Sequence, residues 1–107
     1  MTFSVVGRCE ASGMFGVAVA SSSPAVAARC AYAKAGVGAV ASQNVTDPTL
    51  GVRGLELMQL GANANQTVDT LVASSDWMDY RQVLIVDKSG GTAIHSGANA
   101  LGTWSSA

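Results

Sequence analysis

The stretch RQVLIVDKSGGTAIHSG, at residues 81–97, most constrains what this chain can fold into. Residues 81–87 are rich in β-branched and aliphatic side chains, which favour a buried strand. The turn residues KSGG at 88–91 lead into a second run at 92–97, so the two runs predict a β-hairpin. Any fold for the chain has to accommodate this antiparallel strand pair.

A second hairpin is predicted at residues 2–22. The apolar residues at 2–8 favour a strand, and EASG at 10–13 supplies the turn before the run MFGVAVASS at 14–22. This run has small or apolar residues at both sets of alternating positions, which is typical of a strand covered on both faces. We therefore expect helices or another sheet to flank it.

A third buried strand is predicted at 35–43. The preceding segment, 24–34, is equally consistent with a helix, because it is rich in alanine, and with an extended connection, because it contains proline and β-branched residues.

Two helices are predicted between these strands and the hairpin at 81–97. An apolar stripe with helical spacing begins at Gly51 and stops near Gly61, and a capping box formed by Asn63 and Gln66 begins a second helix that ends by Asp76. The order of five strands and two helices predicts an α+β fold with helices on one face of a mostly antiparallel sheet. The predicted core is Val5, Val17, Val19, Val37, Val40, Leu55, Met58, Leu71, Leu84 and Val86.

Composition narrows the classes of partner. The 107 residues fit one small domain, and with 49% hydrophobic and 12% charged residues the chain must bury much of itself or lie against a partner. A net charge of −1 without a basic cluster argues against nucleic acid. No run approaches the ~18 apolar residues of a membrane span and no secretion signal is evident, so we expect no membrane partner and a cytoplasmic location. Cys9 and Cys30 are expected to be reduced core residues, and neither lies in a metal-site pattern.

Five ordered motifs carry a resemblance to a known family: TFSVVGR, GMFGVAVASSS, AKAGVGAVASQN, GVRGLELMQLG and VLIVDKSGGTAIHSG. Together they resemble a bacterial family, the domain of unknown function 1028, of the N-terminal-nucleophile (Ntn) hydrolase-like superfamily. The resemblance implies an αββα sandwich in which a central strand starts with Thr, Ser or Cys, whose free α-amine serves as the base. Family members usually continue well beyond position 107, so the chain is expected to supply about half of the sandwich, as a single domain or as the N-terminal subunit of a processed precursor.

The resemblance also implies where the nucleophile lies. Thr2 matches the start of the family's first strand, and removal of Met1 would expose its α-amine. If Met1 stays, the nucleophile belongs to a companion chain that follows Ala107 after autoproteolysis. Alternation along the strand places Ser4 on the same side as Thr2.

Ser21, Gln43 and Asn44 are the predicted substrate-binding residues. In a hairpin Ser21 returns beside Thr2, where it would orient the substrate or the nucleophile; the alternative is a hydroxyl satisfied by backbone at a strand end. Gln43 matches the family's T-Q ending, and with Ser42 and Asn44 it ends the third predicted strand, where backbone N–H groups and an amide side chain would bind an oxyanion or a substrate carbonyl. The alternative for Gln43 is an amide that closes the strand-to-loop transition. The lone histidine, His95, has no carboxylate nearby in sequence and is expected to be structural or at the surface.

The function implied by the resemblance is an amidohydrolase. It would cleave a C–N bond in a small amide, ureide or lactam through an acyl-enzyme, without a metal or organic cofactor. The expected partners are the small amide substrate, the companion chain of a heterodimer and further copies in a higher oligomer. The alternative is a non-catalytic assembly or binding subunit whose charge-poor strands form the interface.

Overall fold

Two antiparallel sheets and three helices make up the described part of the computed structural model, which comprises residues 2–45, 47–100, 105 and 107. The strands are β1 (Thr2–Arg8), β2 (Phe15–Ser21), β3 (Ala31–Lys34), β4 (Gly38–Asn44), β5 (Arg81–Asp87) and β6 (Thr92–Ser96). The helices are α1 (Ala27–Cys30), α2 (Thr49–Gln59) and α3 (Ala64–Ser74), and a short 3-10 helix spans Met78–Tyr80. The α+β class predicted from the sequence is confirmed.

The sheets and helices stack in three layers. Strands β3, β4, β5 and β6 form one sheet in that order, and β1 pairs only with β2 among the described strands. The β1–β2 hairpin packs on one face of the four-stranded sheet, with β1 against β4 and β5 and β2 against β3 and β4. Helices α2 and α3 pack on the sheet, with α2 against β3 and β4 and α3 against β5 and β6. Successive side chains of β5 point to opposite faces of the four-stranded sheet. Val83 and Ile85 face the helices and belong to the core, whereas Gln82 faces the hairpin.

The main core lies between the helices and the four-stranded sheet. Its fully buried members include Val40, Leu50, Leu71, Val83 and Ile85. Helix α2 approaches the sheet closely at Gly54, where a Cβ atom would lie 3.2 Å from Cγ2 of Val40. The small residue therefore sets the helix-to-sheet distance at this point.

Helix α3 begins with the capping box predicted from the sequence. The Asn63 side chain accepts a bond of 2.8 Å from the backbone N–H of Gln66, and the Gln66 side chain accepts one of 2.9 Å from the backbone N–H of Asn63. These contacts satisfy two N–H groups that have no partner within the helix.

Helices α2 and α3 have 11 residues each, and no helix in the described ranges is long and apolar enough to cross a membrane.

The prediction that the second strand is covered on both faces is wrong. Residues of β1 and β2 alternate between half-buried and exposed, because the hairpin is the outer layer and only its inner face meets the other sheet. Val5 lies on the outer face and is 61% exposed, so its placement in the predicted core is also wrong.

The rest of the predicted core divides by position in the layers. Four residues are buried: Val40, Met58, Leu71 and Val86. Five residues are half-buried: Val17, Val19, Val37, Leu55 and Leu84. Leu84 belongs to the hairpin face of β5, where a two-stranded hairpin covers a four-stranded sheet incompletely.

The ambiguous segment 24–34 contains both structures that its sequence allowed. One turn of helix, α1, is followed directly by the short strand β3, so the described chain has six strands rather than the five predicted.

The two cysteines are both free thiols. Cys30 is buried as predicted, but Cys9 is exposed in the turn that follows β1, contrary to the prediction of two core cysteines.

Candidate functional site

A polar cluster lies between the hairpin and the four-stranded sheet, where β1 begins. The register places Thr2 opposite Ser21 in the hairpin and Gln43 opposite Gln82 in the sheet. Ser4 lies on the same side of β1 as Thr2, because side chains two residues apart on a strand share a face. The cluster therefore joins side chains from β1, β2, β4 and β5.

Thr2 and Ser21 are joined by their hydroxyl groups. Oγ1 of Thr2 lies 2.9 Å from Oγ of Ser21, and the same Ser21 oxygen accepts a bond of 3.1 Å from the backbone N–H of Ser23. Either hydroxyl can be the donor in this contact, and one arrangement has Ser21 donating to Thr2 while it accepts from Ser23. The Thr2 hydroxyl proton is then available to another acceptor.

Gln43 holds the start of β1 from the opposite sheet. Its Oε1 accepts a bond of 2.6 Å from the Ser4 hydroxyl, and its Nε2 donates to the backbone carbonyl of Thr2 at 3.3 Å and to Oε1 of Gln82 at 2.8 Å. The Gln43 residue is only 7% exposed. Because both amide protons are in use, the contacts of Gln43 position Thr2.

Gln82 extends this network along β5. Its Oε1 also accepts a bond of 2.6 Å from Nδ2 of Asn44, and its Nε2 donates to the Ser96 hydroxyl at 3.2 Å. Sequence reasoning missed Gln82, which it treated only as part of a buried strand. The available signal was a polar amide within an otherwise apolar strand, since a buried polar side chain needs a hydrogen-bond partner.

A cavity of about 270 Å³ opens beside Thr2. It is lined by Thr2, Ser23, Val26, Arg29, Cys30, Asn44 and Pro48. Of the predicted substrate-binding residues, Asn44 lines the cavity together with Thr2. Ser21 and Gln43 instead contact Thr2 from outside the lining.

Two residues beside the cavity have a left-handed backbone. Ala25, in the turn between β2 and α1, has φ of 53°, and Asn44 has φ of 70°. Asn adopts this region more readily than Ala, for which it costs about 1–2 kcal/mol. Strain of this kind concentrates at functional sites, where the surrounding structure holds it in place.

Arg29 supplies the one charged side chain of the cavity lining. It lies on α1, and its Nη2 donates a bond of 3.2 Å to the backbone carbonyl of Pro24. Sequence reasoning missed this residue because the fold of segment 24–34 was left open. Its sequence signal was weak, since Arg29 is one of two cations, with Lys34, in an alanine-rich segment.

Ser42 and His95 do not join the cluster. Ser42 is fully buried and lies on the face of β4 opposite to Gln43, and its Oγ has no hydrogen-bond partner among the described residues. The Ser42 side chain therefore points away from the cluster that Gln43 joins. Nε2 of His95 lies 2.8 Å from the carbonyl oxygen of Met78, which agrees with the structural role predicted for this histidine.

A separate cluster at the other end of β5 is structural. Oδ1 of Asp87 accepts bonds of 2.9 Å from the backbone N–H groups of Ser89 and Gly91, and Oδ2 accepts one of 2.9 Å from that of Ala64. Burial raises the pKa of the Asp87 carboxyl, but these three bonds and the nearby charge of Arg8 outweigh it and hold that pKa below its usual value. Asp87 thus ties the start of α3 to the β5–β6 turn.

In the described ranges no group of three His, Cys, Asp or Glu side chains is placed to hold a metal ion.

These layers define an α+β protein in which helices and a β-hairpin cover opposite faces of an antiparallel sheet, with a cavity beside Thr2 at the hairpin's open end. The chain belongs to the family of unknown function DUF1028, whose family model matches residues 2–107. This confirms the family resemblance found in the sequence.

A solved structure shares this fold. The crystal structure of protein SPO2555 from Silicibacter pomeroyi, of family model DUF1028, superposes with a TM-score of 0.88 at 24% sequence identity. The match covers 92% of this chain and 46% of that protein, so the chain spans about half of its length. No curated protein matches the chain in sequence.

Proposed function

We propose that the chain is the N-terminal part of an Ntn-type amidohydrolase that cleaves a C–N bond in a small amide, ureide or lactam. Thr2 is the nucleophile in this proposal, after removal of Met1. The observation that carries it is the position of Thr2, which lines a cavity and whose Oγ1 lies 2.9 Å from Oγ of Ser21. The bond from Gln43 to the Thr2 carbonyl supports it, since a nucleophile has to be held in place.

Removal of Met1 would put base and nucleophile on one residue. The freed α-amine of Thr2 accepts the hydroxyl proton as Oγ1 attacks the substrate carbonyl carbon. A hydrogen bond donated by Ser21 stabilises the negative charge that develops on Oγ1. Asn44, which lines the same cavity, supplies an amide that can contact the developing oxyanion.

The remaining steps return the enzyme to its starting state. The α-ammonium group donates its proton to the leaving nitrogen, the C–N bond breaks, and the acyl group stays as an ester on Thr2. A water molecule then attacks the ester with the α-amine as base, and the acid product leaves as Oγ1 recovers a proton.

The proposal includes a companion segment that completes an αββα sandwich. The outer face of the hairpin exposes Phe3 (67%) and Val5 (61%), which monomers seldom leave uncovered together. The related solved structure is about twice as long, which leaves enough polypeptide in such a protein for a further layer. The same exposed face favours a second candidate function, a non-catalytic assembly or binding subunit that keeps the fold.

Thr2→Ala and Thr2→Ser test the catalytic proposal in the protein as isolated, with any companion chain retained. N-terminal sequencing should find Thr2 first. Hydrolysis across a panel of small amides, ureides and lactams should be lost in Thr2→Ala and largely retained in Thr2→Ser. Thr70→Ala, on the exposed side of α3, is the matched control and should retain activity.

Two results would overturn the assignment of Thr2. Full activity of Thr2→Ala in protein that lacks Met1 would remove Thr2 from the mechanism. Activity in protein that retains Met1 would place the nucleophile on a companion chain. If no substrate of the panel is hydrolysed by protein that begins at Thr2, the non-catalytic subunit becomes the better description.

A further inference from the structure

The cavity beside Thr2 combines one guanidinium group with no carboxylate among its lining residues. We propose that Arg29 binds a carboxylate of the substrate, so that the substrates are small amides or ureides that also carry an acid group. The inference rests on the proposed function, because it assigns the substrate class of the same cavity.

Arg29 is the one cation among the residues that line the cavity, and its guanidinium makes fewer hydrogen bonds than that of Arg53 or Arg81. Arg53 donates to the hydroxyls of Ser74 and Ser75, and Lys34 donates to the side chain of Gln59. Arg81 donates to backbone carbonyls and makes an ion pair with Asp47. No ion pair with a described residue involves Arg29.

The single bond from Arg29 to the Pro24 carbonyl anchors the guanidinium at the turn that lines the cavity. A guanidinium has five N–H donors in a planar fork, so this bond leaves donors for a ligand. A carboxylate matches the fork with two parallel hydrogen bonds, which is the arrangement that arginine favours. A neutral amide at the same point offers one acceptor oxygen and no charge.

The size of the cavity restricts the substrate further. A volume of about 270 Å³ lies just below the usual range for ligand pockets. The scissile carbonyl next to Thr2 and the carboxylate next to Arg29 must therefore belong to one small molecule. An N-acylated or N-carbamoylated amino acid with a short side chain carries both groups in one small molecule.

Binding to the Thr2→Ala variant tests the inference without any turnover. The probes are N-acetylglycine and N-carbamoylglycine, each paired with its neutral primary amide, titrated to about 10 mM by NMR or calorimetry. Both acids should bind at least about tenfold more tightly than their neutral amides. Arg29→Gln should remove this preference, and Arg29→Lys should keep only part of it.

Arg53→Gln is the matched control, since Arg53 lies on α2 and is not part of the cavity lining. It should leave the preference for acids unchanged. Equal binding of acids and neutral amides, no binding of either acid, or an unchanged preference in a folded Arg29 variant would overturn the inference. Because the measurement is of binding and not of turnover, acid binding that depends on Arg29 would stand even if the proposed hydrolysis were disproved.

Discussion

The Ser4 hydroxyl donates a hydrogen bond of 2.6 Å to Oε1 of Gln43, and this contact joins the hairpin to the four-stranded sheet beside Thr2. The amide nitrogen of the same Gln43 donates to the Thr2 carbonyl. The position of Thr2 therefore depends on a residue of the other sheet as well as on its own strand. Such a network is stable only while all of its members keep their partners.

Gln43→Leu should destabilise the protein by about 2–4 kcal/mol, because it removes the acceptor of the Ser4 hydroxyl and one donor each from the Thr2 carbonyl and from Oε1 of Gln82. Urea denaturation measures the change. Gln59→Leu removes an amide at an exposed site and should cost less than about 1 kcal/mol. Equal losses in the two variants would show that the network contributes little to stability.

Asp87 should make the stability of the protein depend on acid pH. Its pKa is lower in the folded state than the value of about 3.9 expected in the unfolded chain. The carboxylate therefore stabilises the fold fully above that unfolded value, and this stabilisation is lost as the pH falls through the folded pKa.

The measurement is the free energy of unfolding from neutral pH down to about pH 2 for the unsubstituted protein and Asp87→Asn. The variant should be less stable by about 1.5–3 kcal/mol at neutral pH, and the difference should shrink in acid. Asp69→Asn changes an exposed carboxylate on α3 and serves as the control. A difference that stays constant across the whole pH range would argue against this role of Asp87.

Local sequence signals were sufficient to predict some features of the fold and not others. The capping box of Asn63 and Gln66 and the strand at 81–87 depend on neighbouring residues, so the sequence predicted both. The outer face of β2 is different, because a run of small apolar residues is compatible with burial on either one or both faces. Which faces are covered depends on the rest of the fold and on partners.

The candidate site, too, was predicted only where its residues follow from local patterns in the sequence. Thr2 and Ser21 follow from hairpin register alone, and the structure brings them together. The Ser42 side chain lies on the face of β4 opposite to Gln43, so it takes no part in the cluster around Thr2. Arg29 and Gln82 reach the site only through tertiary packing, which no local pattern encodes.

Gly97→Ala should be strongly destabilising. A Cβ atom at Gly97 would overlap backbone atoms of Met78 and Asp79, and backbone cannot move aside as a flexible side chain can. We expect a loss of about 2–4 kcal/mol in thermal or urea unfolding. Gly16→Ala is the control, since nothing lies within 4 Å of its added Cβ; it should be neutral or stabilise by up to about 1 kcal/mol. A loss in Gly16→Ala as large as in Gly97→Ala would contradict the steric argument.

Replacement of Phe3 and Val5 by threonine should weaken association and leave folding almost unchanged. Both side chains are already more than half exposed on the outer face of β1, so the isolated fold gains little from them, and threonine keeps a high strand propensity. A companion segment or a second copy that covers this face would lose apolar contact area with both substitutions. Sedimentation of the protein as isolated should therefore show a smaller assembly for the double variant, with an unfolding temperature close to that of the unsubstituted protein.

Leu60→Ser provides the matched control for surface hydrophobicity. Leu60 is 87% exposed, but it follows α2 on the opposite side of the sheet from the hairpin, so its loss should leave the assembly intact. A double variant that keeps the original mass would show that the outer face of β1 is not an interface. A smaller assembly in Leu60→Ser as well would show that exposed apolar surface in general, and not this face in particular, drives association. Loss of mass in the hairpin variant alone is expected, because Phe3 and Val5 are two exposed apolar side chains that lie two residues apart on one strand face, whereas Leu60 is a single exposed side chain after a helix.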